Sequence, residues 1–425
     1  MRIIVEIRRS KIAGNVTAPP SKSMTHRALM CSALASGKSL IRSPLISDDT
    51  EATSRVLQEL GIRILDGSDP LEVHGGTLKA PRSDLFCGES GTTLRFMTAL
   101  CSLIEGECTL TGGPSLSKRP VEPLLEALRQ IGVDSESKGG YPPIKVKGRG
   151  RIGDSDVHIR GDISSQFVSA LLLIAPLSNG MRINLTTPLE SKPYVKMTMD
   201  ALRTFGVTVQ ASNDMLSYLI KKQAYRPVNM MVEGDWSSAA NILAAGTLAG
   251  KVTVENLSPK SGQADTAIID ILKTLGARIQ MAGRRISVEK SDLRAIEVDL
   301  SNSPDIFTVT ASLCATASGV SVLRGLRRLR YKESDRVAAM MEGLQKMGVN
   351  VKQEEDVLKI EGCRPKGDTI DPHNDHRIAM AFSVLGLVSE GETTILDAGC
   401  VSKSYPRFWE DMEIIGADIK RSEND

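Results

Sequence analysis

The chain has 425 residues, 41% hydrophobic and 24% charged, which exceeds one ordinary domain of ~150 residues and excludes bulk disorder. Its 53 Lys and Arg against 51 Asp and Glu leave a net charge of +2, too balanced for a protein whose main partner is a nucleic acid or an anionic membrane. Aromatic residues, at 4%, are too scarce for base-stacking platforms, so any anion site must be local.

The N-terminal run Met1-Arg2-Ile3-Ile4-Val5-Glu6-Ile7 alternates charged and apolar residues as a strand does. It lacks the apolar core of a signal peptide, and no export is implied. Cys31, Cys87, Cys101, Cys108, Cys314, Cys363 and Cys400 are odd in number and form no CxxC pair; they read as reduced thiols of a cytoplasmic protein. The most apolar stretch, Phe167 to Leu177, contains Ser169 and Pro176 and is about half the ~20 residues of a membrane span, so a core helix is expected.

Two patterns recur. The first is a helix-like apolar period, a glycine and a short β-branched strand, as in Leu57-Gln58-Glu59-Leu60-Gly61-Ile62-Arg63-Ile64. It returns around Gly132, Gly206, Gly276, Gly348 and Gly416. Each copy predicts an amphipathic helix stopped by a left-handed glycine and followed directly by a strand. The second pattern is a polar cluster, a long Ala- and Leu-rich helix and a glycine, ending at Gly37, Gly106, Gly180, Gly250, Gly319 and Gly391. Both series repeat about every 70 residues and stay in phase, which predicts an α/β protein of six βαβαββ units. The second helix type, exemplified by Ala170-Leu171-Leu172-Leu173-Ile174-Ala175, is apolar on all sides and must be interior, with the sheets outside.

The six interior helices are expected to start at Ser21-Lys22-Ser23, Ser90-Gly91-Thr92-Thr93, Ser164-Ser165-Gln166, Asp235-Trp236-Ser237-Ser238, Ser303-Pro304-Asp305 and Asp375-His376-Arg377. Such residues serve as ordinary N-caps. Lys22, Arg27, Arg95 and Arg377, in or one turn beyond these clusters, are not needed for capping. Helix N-termini beside cations suit a phosphorylated or carboxylated ligand. Further basic residues are Arg119 in the first half and Arg324, Arg327, Arg328, Arg330, Lys332, Arg336 and Lys403 in the second. Any one of these could be a solvated surface charge, but Lys332 and Arg336, at i and i+4, are expected on one face of a helix start. Candidate acids and bases are Asp48, Asp49, Asp305, Glu333 and the Asp375-His376 pair. His373 and His376 form an HxxH without further ligands at zinc spacing, so no metal is expected. No GxxxxGK[ST], no GxGxxG opening a helix and no GxSxG appears, which removes the usual nucleotide and serine-hydrolase readings and leaves chemistry without an obvious cofactor.

Several blocks, taken in order, resemble the 5-enolpyruvylshikimate-3-phosphate synthase family over essentially the whole chain. They are Pro20-Ser21-Lys22-Ser23 with Arg27, Gly88-Glu89-Ser90-Gly91-Thr92-Thr93-Leu94-Arg95, Lys118-Arg119-Pro120, Ser164-Ser165-Gln166-Phe167 and Ser191-Lys192-Pro193-Tyr194. Glu233-Gly234-Asp235, Lys332-Glu333-Ser334-Asp335-Arg336, Asp375-His376-Arg377 and Ser402-Lys403-Ser404 complete the set. Arg328 stands where many members have Asn, and Ser90 and Phe96 where many have Ala and Pro. The resemblance implies two inside-out α/β barrel domains, each of three βαβαββ repeats, with the active site in the interdomain cleft. With Pro19, Pro20 and Pro227 restricting the backbone, the expected domains are 19–227, holding repeats one to three, and 1–18 plus 228–425. The latter holds repeats four to six and the N-terminal strand.

The implied reaction is transfer of the enolpyruvyl group of phosphoenolpyruvate to the 5-hydroxyl of shikimate 3-phosphate, with release of phosphate and no cofactor. Carried over by motif, Ser23 and Arg27 hold the shikimate carboxylate, Ser164, Ser165, Ser191 and Lys332 its phosphate, and Gln166 and Tyr194 border its ring. Lys22, Gly91, Arg119, Gln166, Arg336, Arg377 and Lys403, with His376 adjacent, hold phosphoenolpyruvate. Lys22 and Asp305 also belong to the shikimate 3-phosphate side. Asp305 is the implied base for the 5-hydroxyl, and Glu333, Lys22 and Lys403 the implied proton carriers at the methylene carbon. The expected partners are these two small molecules, with no nucleic acid and no membrane, and the expected state is a cytoplasmic monomer. UDP-N-acetylglucosamine enolpyruvyl transferase is an alternative with the same donor, but the loop Gly112-Gly113-Pro114-Ser115-Leu116-Ser117-Lys118 lacks the Cys of that family. RNA 3′-phosphate cyclase shares the repeat but needs ATP and an RNA substrate. A non-enzymatic anion-binding module is the alternative of a different class.

Overall fold

The structure, a computed structural model, describes residues 2–65 and 69–424; Met1, at the head of the expected first strand, lies outside them. The repeat is seen most simply between Leu85 and Arg149. Strand Leu85–Phe86, helix Gly91–Leu100 and strand Glu105–Thr111 come first, then helix Glu122–Gln130 and strands Asp134–Lys138 and Tyr141–Arg149. The first two strands are parallel, with Leu85 opposite Leu110, and a parallel pair needs a crossover, which the apolar helix supplies. The last two strands form antiparallel pairs, Glu105 opposite Arg149 and Asp134 opposite Lys147. Among the described residues, six four-stranded sheets share this order of first, second, fourth and third strand.

Two of the six sheets borrow their opening strand. Ile12–Thr17 runs directly into helix Lys22–Leu34, yet it pairs in parallel with Gly250–Glu255, Ile12 opposite Gly250. Asn229–Met231 leads into helix Trp236–Ala249, yet it pairs with Gly37–Arg42, Asn229 opposite Leu40. The chain accordingly divides into two compact units, Met1–Pro19 with Glu233–Asp425 and Pro20–Val232. The return lies after Val232 and not at 228, because the strand at 229–231 is held by the 37–42 strand. In the last sheet Arg2–Arg8 pairs antiparallel with both Glu392–Ile395 and Asp418–Asn424, so the N-terminus completes the repeat that the C-terminus begins.

Each unit has its own apolar core. Every residue of Trp236–Ala249 and of His376–Gly386 is buried, as an all-round apolar helix requires. The outer helices are one-sided: Ile268–Leu275 buries Ile268, Ile269, Ile271, Leu272 and Leu275 and exposes Lys273. Their stops follow the sequence pattern, since Gly61, Gly132, Gly206, Gly276, Gly348 and Gly416 have φ between +78° and +94°. The expected core helix at 167–177 is helix Ser165–Ile174 followed by a 3₁₀ turn, Ala175–Leu177.

Two glycines separate conformational from steric need. A Cβ on Gly348, at φ +79°, would meet nothing within 4 Å, whereas one on Gly250 would lie 1.7 Å from the Ile12 carbonyl oxygen. Gly348→Ala should cost roughly 1–2 kcal/mol from the left-handed backbone alone. Gly250→Ala should cost about 3 kcal/mol or more, because the borrowed strand must move. Urea unfolding of both variants checks this, and equal midpoints would show that the Ile12 strand yields freely.

Candidate active site

In the 20–232 unit the cationic side chains surround the starts of three interior helices. Lys22 opens helix Lys22–Leu34 and its Nζ lies 2.8 Å from Asp49 Oδ2, in the first turn of helix Asp48–Glu59. A buried polar chain runs beneath this ion pair. His26 Nδ1 is 2.8 Å from Thr53 Oγ1, Thr53 is 2.7 Å from Thr93 Oγ1, and Thr93 donates to Ser90 Oγ at 2.7 Å. Burial, reinforced by Lys22 and Arg27, holds the His26 imidazole well below its ordinary pKa, so it is neutral and acts as a hydrogen-bonding group. His26 and Thr53 carry no motif signal, and only their i, i+4 relation to Lys22 and Asp49 places them one turn below those residues; Thr93 belongs to the Gly88–Arg95 block.

Arg27 is also buried. Its Nε donates to Thr198 Oγ1 at 2.8 Å, Nη1 to the Ser23 carbonyl at 2.8 Å and Nη2 to the Tyr194 carbonyl at 3.0 Å. Desolvation lowers its pKa to about 10, which still leaves a cation at neutral pH. Three of its five N–H groups are used, so each terminal nitrogen keeps one. Ser191, at φ +51° before helix Lys192–Thr204, and Ser165 are buried nearby in sequence to these partners. Ser164 caps helix Ser165–Ile174 by accepting from Gln166 N. Gln166 joins two elements: its Oε1 accepts from Arg95 Nη1 at 2.6 Å and its Nε2 donates to Thr92 Oγ1 at 2.9 Å.

Arg119 ends a loop that Glu89 anchors, accepting from Leu116 N at 2.8 Å and Ser115 N at 3.4 Å. The guanidinium lies on the first residue of helix Gly91–Leu100, where a Cβ on Gly91 would sit 2.6 Å from Arg119 Nη1. Glycine at 91 is therefore a matter of room: any larger residue displaces Arg119.

In the other unit the charges converge on Asp305, in the 3₁₀ turn Pro304–Ile306 that opens helix Phe307–Cys314. Its Oδ1 is 2.9 Å from Arg336 Nη1 and 3.2 Å from Lys332 Nζ, and its Oδ2 is 3.2 Å from Arg377 Nη2. Arg336 is 1% exposed and is held on its other sides by Asp375 at 2.8 Å and Glu333 at 2.6 Å. Burial works against its charge, but Asp375, Glu333 and Asp305 outweigh it and raise its pKa. Asp375 also caps helix His376–Gly386 through Arg377 N. Lys403 Nζ donates to the Asn374 carbonyl at 2.6 Å, and His376 is buried with Nδ1 3.9 Å from Asp375 Oδ1.

Lys332 and Arg336 do not share a helical turn. Lys332 follows the 3₁₀ turn Arg327–Tyr331, and helix Arg336–Lys346 begins only after its Asp335 cap. The two cations meet because both reach Asp305, not because of their spacing. Burial, aided by Arg336 and opposed by Asp305, lowers Lys332 to about 8. Arg328 is buried and donates to the Ser301 carbonyl at 2.6 Å, bracing the loop before Asp305. Arg324, Arg327, Arg330 and Asp48 are exposed, and His373 is exposed and bonds Glu342. An acid outside the sequence motifs, Asp265, is buried beside this cluster, where it interacts electrostatically with Asp305 and Arg377. The arrangement supplies one carboxylate faced by three cations, Lys332, Arg336 and Arg377, groups of the kind that bind phosphate and carboxylate anions.

The family model described as EPSP synthase (3-phosphoshikimate 1-carboxyvinyltransferase) matches residues 7–412. The 3-phosphoshikimate 1-carboxyvinyltransferase of Dehalococcoides mccartyi is 46% identical over 418 residues, covering 98% of this chain and 99% of that one. The protein of the same name from Methanocorpusculum labreanum is 42% identical over 426 residues, covering 99% and 100%. Among solved structures, an EPSP synthase from Acinetobacter baumannii superposes with a TM-score of 0.82 at 29% identity over the whole of both chains. The enolpyruvyl transferase NikO from Streptomyces tendae has the same fold, with a TM-score of 0.73 at 19% identity over the whole of both.

The dependence of Arg336 on its acids gives a stability test. Asp375→Ala removes one partner of a buried guanidinium together with a helix cap, and should destabilise the protein by about 3 kcal/mol or more. Asp335→Ala, which removes an exposed cap bonded to Ala338 N, should cost about 1 kcal/mol. Thermal unfolding of the pair measures the difference.

Proposed function

The chain belongs to the EPSP synthase family, whose enzymes transfer the enolpyruvyl group of phosphoenolpyruvate to shikimate 3-phosphate in the shikimate pathway, and we propose how its residues divide that work. The observation that carries the proposal is Asp305, a carboxylate within 3.2 Å of Lys332, Arg336 and Arg377. Asp305 takes the proton of the 5-hydroxyl as its oxygen bonds to the central carbon of phosphoenolpyruvate, while an acid protonates the methylene carbon. Loss of phosphate and of one methyl proton then restores the enolpyruvyl double bond. Glu333, Lys22 and Lys403 are the proton carriers at that carbon.

Shikimate 3-phosphate is held by Ser23 and Arg27 at its carboxylate and by Ser164, Ser165, Ser191 and Lys332 at its phosphate, with Gln166 and Tyr194 along its ring. The two remaining N–H groups of Arg27, one on each terminal nitrogen, suit the fork of a carboxylate. Phosphoenolpyruvate is held by Lys22, Gly91, Arg119, Gln166, Arg336, His376, Arg377 and Lys403. The fit of Arg119 against the Gly91 backbone supports placing both on the donor anion, since the guanidinium and the helix N–H groups then face the same oxygens. The reading requires no metal or cofactor, and it takes the protein as a cytoplasmic monomer.

Phosphate release with both substrates, and none with either alone, separates this enzyme from an anion-binding module. Asp305→Asn keeps the side-chain shape and removes the base, so turnover should fall by roughly 10² to 10⁴ with a smaller change in affinity. Arg119→Ala should weaken phosphoenolpyruvate and leave shikimate 3-phosphate nearly unchanged. Calorimetric titration of each ligand decides between them, and equal loss of both ligands in the Arg119 variant would overturn the division.

A further inference from the structure

Glu89 is a half-buried acid beside the donor residues that the reaction as described does not use. It immediately precedes Ser90, the cap of helix Gly91–Leu100. Its carboxylate reaches the loop between strand Glu105–Thr111 and helix Glu122–Gln130, where Leu116–Lys118 forms a 3₁₀ turn with Ser115 at its N-cap and Arg119 at its C-cap. Glu89 Oε2 accepts from Leu116 N at 2.8 Å, and Oε1 accepts from Ser115 N at 3.4 Å. Backbone N–H groups at the start of a helical turn have no partner within it. Here a carboxylate from the neighbouring segment meets them, and the shorter of the two bonds is a strong, charge-assisted one.

The loop is shaped around that carboxylate. A Cβ on Gly113 would overlap Glu89 Oε1, so glycine there leaves the room the acid occupies. Gly113 N donates to the Gly88 carbonyl at 2.8 Å, Ser117 N and Oγ donate to the Gly113 carbonyl at 3.0 and 2.9 Å, and Leu116 is buried. The far end of the turn comes back to where it started. Arg119 N donates to the Leu116 carbonyl at 3.0 Å, and the Arg119 guanidinium lies on Gly91, two residues beyond Glu89. We infer that Glu89 is a positioning residue for the donor: by bonding the start of the Leu116–Lys118 turn it sets where Arg119, at the end of that turn, lies on Gly91. This inference rests on Arg119 serving phosphoenolpyruvate.

The direction of the effect follows from preorganisation. A cation whose loop is already ordered binds its anion without the cost of ordering that loop. Without the Glu89 bonds the cost falls on phosphoenolpyruvate and not on shikimate 3-phosphate, whose proposed residues lie outside the loop. The charge of Glu89 acts the other way, since removing a negative charge near an anion site by itself favours the anion. Weaker donor binding in a neutral variant therefore reads the lost bonds and not the lost charge.

The test is steady-state kinetics of the full chain, each substrate being varied at a saturating concentration of the other. Glu89→Gln keeps the side-chain size but leaves one acceptor oxygen for two N–H groups. The KM for phosphoenolpyruvate should rise about 10-fold, with less than about 3-fold change in kcat and in the KM for shikimate 3-phosphate. Gly113→Ala, at a glycine whose φ is outside the left-handed region, crowds the carboxylate without altering its charge. It should give the same donor-only signature, and it decides the matter if Glu89→Gln does not fold. In an Arg119→Ala background Glu89→Gln should add less than about 2-fold, because the group it positions is gone. A donor KM that stays or falls in Glu89→Gln, equal loss of both substrates, or effects that multiply in the double variant would each overturn the inference. Arg119→Ala, measured alone, reads the premise separately: an unchanged KM for phosphoenolpyruvate means that Arg119 does not serve the donor, whatever Glu89 does.

Discussion

A helix that is apolar on every side has no face for water, and the rest of this molecule follows from that constraint. Trp236–Ala249 and His376–Gly386 are buried along their whole length, so their only polar outlets are their ends. The N-terminal end is the one with free N–H donors and positive potential. Caps such as Ser90, Ser164, Asp235 and Asp375 satisfy part of that demand, and Lys22, Gly91, Gln166 and Arg377 stand in the first turns of such helices. Burying the helices and concentrating functional groups at their starts are one solution to one problem.

Covering those helices also explains the sheets. Each parallel strand pair needs a crossover, and the interior helix is that crossover. The exchange of Ile12–Thr17 and Asn229–Met231 between units preserves the pairing while making each unit depend on a strand from the other stretch of sequence. The backbone of Gly250 approaches Ile12 so closely that no side chain fits there. The residues just beyond the two exchanged strands, Lys22 on one path and Asp235 on the other, open interior helices in opposite units. A strand that sits correctly in its borrowed sheet thereby fixes where the next helix begins.

The repeat was legible because its punctuation is chemical: six glycines at a spacing of about 70 residues each occupy the left-handed region, where other residues are strained. The α/β class, the N-terminal strand and the interior helices followed from period and composition. The partners of the site residues were not legible, because they come from other elements of the same unit. Asp49 reaches Lys22 from the following helix, and Asp375 reaches Arg336 from the start of a later one. Local spacing also misled at Lys332 and Arg336, where Asp335 caps the helix and leaves Lys332 outside it. That the division falls after Val232 rather than at 228 was not legible for a related reason, since the strand after Pro227 still pairs with the 37–42 strand.

The same cross-element contacts decide what the charges can do. Arg336 is pinned by three carboxylates and 1% exposed, so it is a fixed source of potential. Lys332 and Arg377 reach Asp305 at 3.2 Å, against 2.9 Å for Arg336. On the proposed division of roles, Lys332 turns to the acceptor phosphate and Arg377 to the donor anion, which Arg336 meets from where its carboxylates hold it. Each one that does so withdraws positive charge from Asp305, and a carboxylate losing its counterions in a buried site gains proton affinity. Substrate binding would then strengthen the base at the moment its substrate hydroxyl arrives, while Arg336 keeps Asp305 from being left as an isolated buried charge.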